Sequence, residues 1–247
     1  MKSDEASKKQ KKGRRAWAKW LLCAFAAVVC LSAVFHLPVL WGVINLKNEN
    51  PRATALTELR AGEGIAPRSE FAWLPYERIS PQLVRAVVAG EDPHFFEHRG
   101  FDWDAMGKAA STNLEQLRYA RGASTVTQQL AKNLFLSPSK SPTRKLHEAL
   151  ITWELERTLD KRRIMEVYLN VIEWGEGIYG AENAARHYFN VSAADLNEEQ
   201  AAFLCAMIPN PRGAYNPEIN PDRVEIKAQQ IRELMQSPAL VLTQRAN

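Results

Sequence analysis

Residues 20–46 form a run of 27 residues that contains no charged side chain, and few environments accept such a segment. Because about 20 apolar residues in a helix span the hydrocarbon core of a bilayer, we predict a single transmembrane helix here. Residues 1–19 carry eight basic and two acidic side chains, so the positive-inside rule places this basic tail in the cytoplasm. A cleaved signal peptide is the alternative, although the run is long and no clear small-residue cleavage site follows it.

The charge of the chain is distributed unevenly. The net charge is +4, but the basic tail contributes +6, and the other 228 residues together carry −2. A slightly acidic body argues against nucleic-acid binding. The three cysteines provide no disulfide framework for the body, and no Cys or His spacing resembles a zinc site. The body must therefore be held together by a hydrophobic core.

Signals for helix starts follow one another closely after Tyr76. We interpret residues 47–75, with their Pro and Gly residues, as a stalk or an irregular lead-in, and residues 76–240 as one domain. No alternating strand of useful length is present, so the predicted fold class is mainly α. The predicted helix N-caps are Ser80, Asp102, Ser124, Ser141 and Asp160, and further helices are predicted at 180–189, 197–207 and 221–236.

The pair Glu91-Asp92 ends an apolar helical segment and is followed by aromatic residues that include Phe95. A carboxyl group at a helix end among aromatic side chains is well placed for a raised pKa, and such a group can act as a general base. A capping or salt-bridged pair of acids is the alternative interpretation of this segment.

A second segment, RGASTVTQQLAKN, leads from a glycine-containing loop into a helix. The N-terminus of a helix attracts anions, and Thr125, Gln129 and Lys132 have the spacing of one helix face. A face with a hydroxyl, an amide and an ammonium group suits a sugar or a diphosphate, although an ordinary solvated face is equally consistent. We also expect residues 114–119 and 134–136 to touch the membrane, because apolar side chains alternate there with arginines.

A third segment places Arg144 and Glu148 one helical turn apart, where they can form either part of a site or a surface ion pair. His147-Glu148 begins a zinc-protease pattern, but Ile151 occupies the position of the second His. The S-x-x-K and S-x-N patterns occur in the wrong order and without K-T-G, which argues against a penicillin-binding acyl-transfer site.

Taken together and in this order, the segments resemble the four motifs of the family-51 glycosyltransferases, the peptidoglycan transglycosylases. The resemblance covers roughly residues 76–217. It rests on EDPHFFEHRGFD, RGASTVTQQLAKN, RKLHE and KRRIMEVYLN. The chain differs from the family pattern at Ala123, where a second Gly is usual, and at Lys140, where a number of family members carry Arg.

The resemblance implies a lysozyme-like helical glycosyltransferase domain behind the transmembrane helix. It implies that the chain polymerises lipid II into β-1,4 glycan strands on undecaprenyl diphosphate, with inversion at the sugar. Glu91 would be the general base, and Glu148 would orient nearby cations or help to hold a metal. The other implied site residues bind the substrate: Asp92, Phe95, His98, Ser124, Thr125, Gln128, Gln129, Lys132, Lys140, Arg144 and Lys145.

The same resemblance implies the cofactors, the partners and the location of the enzyme. No cofactor is required, although a divalent cation (Mg²⁺ or Mn²⁺) can accompany the donor diphosphate. The expected partners are lipid II, the lipid-linked glycan, the bilayer and other cell-wall synthesis proteins, without nucleic acid. The expected location is the bacterial inner membrane, with the catalytic domain in the periplasm. The alternatives are a lysozyme-like muramidase that cleaves peptidoglycan and a non-catalytic membrane-anchored scaffold.

Overall fold

The computed structural model describes residues 17, 19, 20, 23, 34, 36–115, 124–137 and 141–237. The chain divides into two compact units, Met1–Ile44 and Asn45–Asn247. Thirteen of the 27 residues of the predicted transmembrane segment 20–46 and most of the basic tail lie outside the described residues, as do Ala123 and Lys140. Within the described part of the chain, no helix combines the length and the apolar character needed to cross a bilayer.

The unit Asn45–Asn247 is mainly helical, as predicted. A single 3-10 turn at Tyr76–Arg78 precedes the second helix. The described helices are α1 (Ala55–Gly62), α2 (Pro81–Glu91), α3 (Trp103–Glu115), α4 (Val126–Phe135), α5 (Pro142–Thr158), α6 (Lys161–Val171), α7 (Ala181–Phe189), α8 (Glu198–Met207) and α9 (Pro221–Met235). Two short strands, β1 (Glu173–Gly175) and β2 (Ile178–Tyr179), lie between α6 and α7.

Most of the predicted helix starts are confirmed by capping hydrogen bonds. Ser80 accepts from the Gln82 N–H, Ser141 from the Arg144 N–H and Asp160 from the Arg163 N–H; Asp102 accepts from the Ala105 N–H. Each cap satisfies a donor that the first helical turn leaves without a partner inside the helix.

The prediction that Ser124 caps α4 is wrong by one residue. Thr125 is the N-cap: its hydroxyl accepts from the Gln128 N–H, and the Gln128 side chain accepts from the Thr125 N–H. This capping box satisfies two donors reciprocally, and it fixes the start of the helix at Thr125.

The segment 47–75 contains a helix that the sequence did not predict. Thr54 and Thr57 form a capping box at the start of α1, and α1 packs against α4. The guanidinium of Arg60 donates two hydrogen bonds to Glu173 in β1, at 2.9 and 3.0 Å. This segment lies within the compact unit Asn45–Asn247.

The antiparallel pair of β1 and β2 was also missed, because strands of three and two residues are too short to alternate visibly. Glu173 pairs with Tyr179, and Gly175 pairs with Ile178. Gly180, which follows β2 with φ 82° and ψ 147°, is in a backbone region that is essentially restricted to glycine. An added Cβ there would lie 2.7 Å from the carbonyl oxygen of Asn170.

Two groups of helices supply most of the core. In one group α2, α8 and α9 pack together, and in the other α4 packs against α5 and α6. Trp174 and Tyr168 are fully buried. Leu134 and Leu136 are also buried, so the expectation that they contact the membrane is wrong, whereas residues 116–119 lie outside the described residues.

We predict that Gly180→Ala lowers the free energy of unfolding by about 1–3 kcal/mol, because Ala must adopt a strained backbone and meets the Asn170 carbonyl. Urea unfolding followed by circular dichroism measures the change. Gly107→Ala is the matched control. Gly107 lies inside α3 with nothing within 4 Å of an added Cβ, so this change should stabilise by about 0.5–1 kcal/mol. Equal effects of the two changes would contradict the backbone argument.

Candidate active site

Glu91, the proposed base, is the last residue of α2. Its carboxylate accepts a hydrogen bond of 2.8 Å from the side-chain amide of Gln129 in α4. Burial raises the pKa of Glu91 above its ordinary value, whereas the Gln129 hydrogen bond and the charges of Lys227 and Lys132 act in the opposite direction. A carboxylate whose pKa is moved toward neutrality, yet which remains hydrogen-bonded as an anion, has the properties of a general base.

Tyr168 in α6 fixes the orientation of Gln129. Its hydroxyl donates to the Gln129 side-chain oxygen at 2.8 Å, which leaves the amide nitrogen facing Glu91. Tyr168 is fully buried, and burial raises the pKa of its hydroxyl well above the ordinary value, so it remains a donor. Sequence reasoning missed this residue, although it lies in the KRRIMEVYLN motif, because its partner comes from another helix.

Asp92 joins three parts of the site. Its buried carboxylate accepts from the Val126 N–H at 2.9 Å and from His98 Nε2 at 2.9 Å. The Gly100 N–H donates to His98 Nδ1 at 3.1 Å, so Nδ1 is an acceptor and Nε2 carries the proton. Asp92 and His98, predicted to bind substrate, therefore hold the loop after α2 against the start of α4.

Phe95 is another predicted substrate residue that the structure places in the protein interior, where it is fully buried. The ammonium of Lys161 lies 4.5 Å from the centre of its ring, and the same ammonium pairs with Glu156 at 2.7 Å. Thr127 also donates to Glu156. Phe95 thus anchors the loop that carries His98, with α4, α5 and α6 around it.

The polar residues at the start of α4 fall into two groups, those buried in the capping box and those that remain available to the site. Thr125 and Gln128 are buried in the capping box, and the Thr125 hydroxyl also donates to the Gly100 carbonyl at 2.7 Å. Ser124 is exposed. Of the predicted face, Gln129 donates a hydrogen bond to Glu91, and the exposed Lys132 lies close enough for the charge of Glu91 to raise its pKa.

A cluster of charges on α4 and α5 lies next to the base. Glu148 is buried and forms ion pairs with Arg144 and Lys145 on the same helix. Loss of hydration lowers the pKa of Lys132; the charge of Glu148 raises it, and the charges of Arg144 and Lys145 lower it. The charge of Glu91 also raises the pKa of Lys132, so Lys132 is influenced electrostatically by both the candidate base and Glu148.

The described charged residues of the site are not arranged as the ligands of a metal ion held by the protein. Both Glu148 oxygens are engaged by Arg144 and Lys145. Among the described residues, no group of three His, Cys, Asp or Glu side chains is placed to hold a metal ion. Glu148 is therefore better suited to orienting the cations than to ligating a metal.

Comparison with known proteins identifies the family of this chain. Residues 60–236 match the model of the transglycosylase family. The chain is 49% identical over 199 residues to a biosynthetic peptidoglycan transglycosylase of Laribacter hongkongensis, a match that covers 78% of this chain and 87% of the relative. It is 50% identical over 191 residues to the protein of that name in Chromobacterium violaceum, with 76% and 84% covered. This chain belongs to the transglycosylase family.

Proposed function

We propose that this chain is a peptidoglycan glycosyltransferase that polymerises lipid II into β-1,4 glycan strands. The observation that carries the proposal is the buried helix end at Glu91, which is hydrogen-bonded to Gln129 of α4, on the same helix as Lys132, whose pKa is raised by the charges of Glu91 and Glu148. A reaction between an acceptor hydroxyl and a sugar diphosphate needs these two elements side by side. The names of the similar proteins describe the same activity.

In the proposed reaction, the 4-hydroxyl of the acceptor sugar attacks the anomeric carbon of the donor. Its proton passes to the Glu91 carboxylate as the new C–O bond forms. The bond between the anomeric carbon and the undecaprenyl diphosphate breaks, and the diphosphate keeps the electron pair. Direct displacement of an α-linked diphosphate inverts the centre, which gives the β linkage.

The cation cluster supports the leaving group. A diphosphate leaves as an anion, so it needs positive charge rather than a strong proton donor. Lys132, Arg144 and Lys145 supply this charge, and Glu148 holds Arg144 and Lys145 in place. We include Lys140 in this group on the resemblance of its segment alone. We propose substrate-positioning roles for Ser124 and Gln129.

The muramidase alternative is not favoured. Glycoside hydrolysis generally uses two carboxyl groups, one of which protonates the sugar leaving group. Near Glu91, the described carboxylates are Asp92, bound by His98 and Val126, and Glu148, bound by two cations. Asp92 and Glu148 are engaged by other groups of the protein, so neither is free to act as the second carboxyl group beside Glu91. A hydrolase also has no need of the cation cluster, because its leaving group is a sugar.

We propose that no cofactor is required. A divalent cation can accompany the diphosphate, and no step of the proposed reaction passes through it. We also propose that residues 20–46 anchor the chain in the bacterial inner membrane, with the catalytic domain on the periplasmic side. Because both substrates are lipid-linked, such an anchor confines the enzyme to their surface and raises their effective concentration. Other cell-wall synthesis proteins are proposed partners.

The first prediction from this mechanism concerns the base. Glu91→Gln should lower the rate of lipid II polymerisation by about 10²–10⁴-fold, because the amide cannot accept the hydroxyl proton. Gel separation of labelled product, with muramidase digestion, measures the rate. Glu97→Gln is the matched control, since Glu97 is an exposed acid on the same loop. A Glu91→Gln enzyme that retains more than about a tenth of the activity contradicts the assignment.

The second prediction concerns Tyr168. Tyr168→Phe removes the hydroxyl that orients Gln129, so kcat should fall about 2- to 10-fold, with little change in KM. Since the Gln129 hydrogen bond lowers the pKa of Glu91, its weakening should raise that pKa further. The acidic limb of the pH–rate profile should then move to higher pH.

The control for Tyr168→Phe is Tyr188→Phe, which removes a hydroxyl that donates to the Trp174 carbonyl. It should leave the pH–rate profile unchanged. If Tyr168→Phe lowered thermal stability but left the profile where it was, its role would be structural packing and not positioning of the base.

The third prediction concerns the cation cluster. Lys132→Gln should lower kcat by about 10²–10³-fold, a loss typical of removing one group that stabilises developing charge. Release of undecaprenyl diphosphate from lipid II measures the step directly. Lys108→Gln, a change at an exposed lysine of α3, is the control. Full activity of Lys132→Gln would remove Lys132 from the mechanism.

A further inference from the structure

Arg163 in α6 holds the chain at the point where the segment predicted to cross the membrane ends. Its Nε donates to the carbonyl of Leu46, the last residue of that segment, at 2.8 Å. Its Nη2 donates to the Glu49 carbonyl at 2.9 Å and to the side-chain oxygen of Asn50 at 2.8 Å, and its Nη1 pairs with Glu166. A planar guanidinium holds acceptors in several fixed directions at once, which the flexible ammonium of a lysine does not.

Two further side chains of α6 hold the residues that lead into the catalytic domain. Glu166 accepts from the indole N–H of Trp73 at 2.9 Å and from the backbone N–H of Tyr76 at 3.0 Å. The side-chain amide of Asn170 accepts from the Leu74 N–H and donates to the Leu74 carbonyl, both at 2.9 Å. The same helix therefore fixes two separate stretches of the N-terminal part of the chain.

These three side chains share one face of α6. At about 3.6 residues per turn, positions i, i+3 and i+7 of a helix lie above one another, and Arg163, Glu166 and Asn170 have this spacing. Tyr168 lies on the opposite face, where its hydroxyl donates to Gln129, the side chain that orients the candidate base. One helix thus connects the chain that follows the predicted membrane segment with the positioning of the base.

Helix α6 is well suited to be such a connection. Seven of its 11 residues are buried, and Asp160 caps its first turn with a hydrogen bond to the Arg163 N–H. A helix that is packed on both sides moves as one body, because tightly packed interiors are hardly compressible. A displacement of its Arg163 face, defined as Arg163, Glu166 and Asn170, therefore also displaces Tyr168.

A fixed exit of the chain matters for a substrate that lies in a bilayer. The reactive sugar of a lipid-linked substrate stays close to the membrane surface, so an anchored enzyme must present its base there in a suitable orientation. A loosely attached catalytic domain adopts many orientations, of which only a fraction is productive. The apparent affinity for the substrate falls by that fraction, whereas the chemical step is unaffected.

We propose that the Arg163 face of α6 fixes the candidate base relative to the point where the chain leaves the membrane anchor. Arg163 is a positioning residue: it acts through residues 46–50 and takes no part in the chemistry. This inference rests on the proposed function and on the anchor proposed with it.

The test uses Arg163→Lys in the full chain, which keeps the charge beside Glu166 but loses the planar fork. With lipid II in vesicles of phosphatidylethanolamine and phosphatidylglycerol, KM should rise about 3- to 10-fold, and kcat should change by less than about twofold. In detergent micelles, which have no extended membrane plane, both constants should equal those of the wild type. Arg162→Lys is the matched control, because Arg162 is the neighbouring exposed arginine and its guanidinium lies over the Tyr76 ring at 5.8 Å.

A second variant and two further measurements support the test. Asn50→Ala removes one acceptor of Arg163 and should raise KM in vesicles by about two- to threefold. The N–H groups of Asn48 and Glu49 donate to the Asn45 carbonyl, and they should exchange with deuterium faster in Arg163→Lys than in the wild type. Flotation with the vesicles should be the same for all variants, since none of them changes the anchor.

Two results overturn the role of Arg163: an unchanged KM in vesicles, or an equal rise of KM in vesicles and in detergent, which indicates a general loss of structure. If Arg163→Lys does not fold, Asn50→Ala decides the question. A wild type that does not float with the vesicles refutes the anchor and this inference together. A wild type that is inactive in both media refutes the proposed function, whereas an active wild type with the same KM as Arg163→Lys in vesicles refutes only the role of Arg163.

Discussion

The buried carboxylate of Asp92 is the interaction on which the geometry of the site depends. It accepts hydrogen bonds from His98 and from the first N–H of α4, and so it joins the end of α2 to the start of another helix. Because Glu91 is the preceding residue, this connection also sets the distance from Glu91 to Gln129. An aspartate without these donors would be too costly to bury. The first motif therefore combines Asp92, which has a structural role, with Glu91, the proposed base.

Sequence reasoning succeeded where the signal was local. The caps at Ser80, Ser141 and Asp160 were predictable, because a cap and its partner lie within three residues. The mainly helical fold followed from the number of such signals. The residues grouped by motif were also brought close together, since Glu91 contacts Gln129 and Glu148 contacts Arg144.

Sequence reasoning failed where the partner is distant in the chain. Helix α1 is stabilised by Glu173, which lies 113 residues after Arg60, and Tyr168 acts on Gln129 across 39 residues. The periodicity of apolar residues along the sequence does not reveal such contacts. The motifs also did not separate residues that touch substrate from residues that hold the loop. The sequence does not show whether an aromatic residue such as Phe95 is buried or exposed.

Glu91 and Lys132 are coupled in a way that explains the size of the cation cluster. A diphosphate brought near Glu91 raises the pKa of that carboxylate, since like charges disfavour ionisation. The base would then be protonated when it is needed. We propose that Lys132 opposes this effect, because its charge lowers the pKa of Glu91, although loss of hydration lowers the pKa of Lys132 itself. A diphosphate beside Lys132 favours its charged form in turn. We therefore propose two purposes for the cluster: it stabilises the leaving group, and it keeps Glu91 ionised while the substrate is bound.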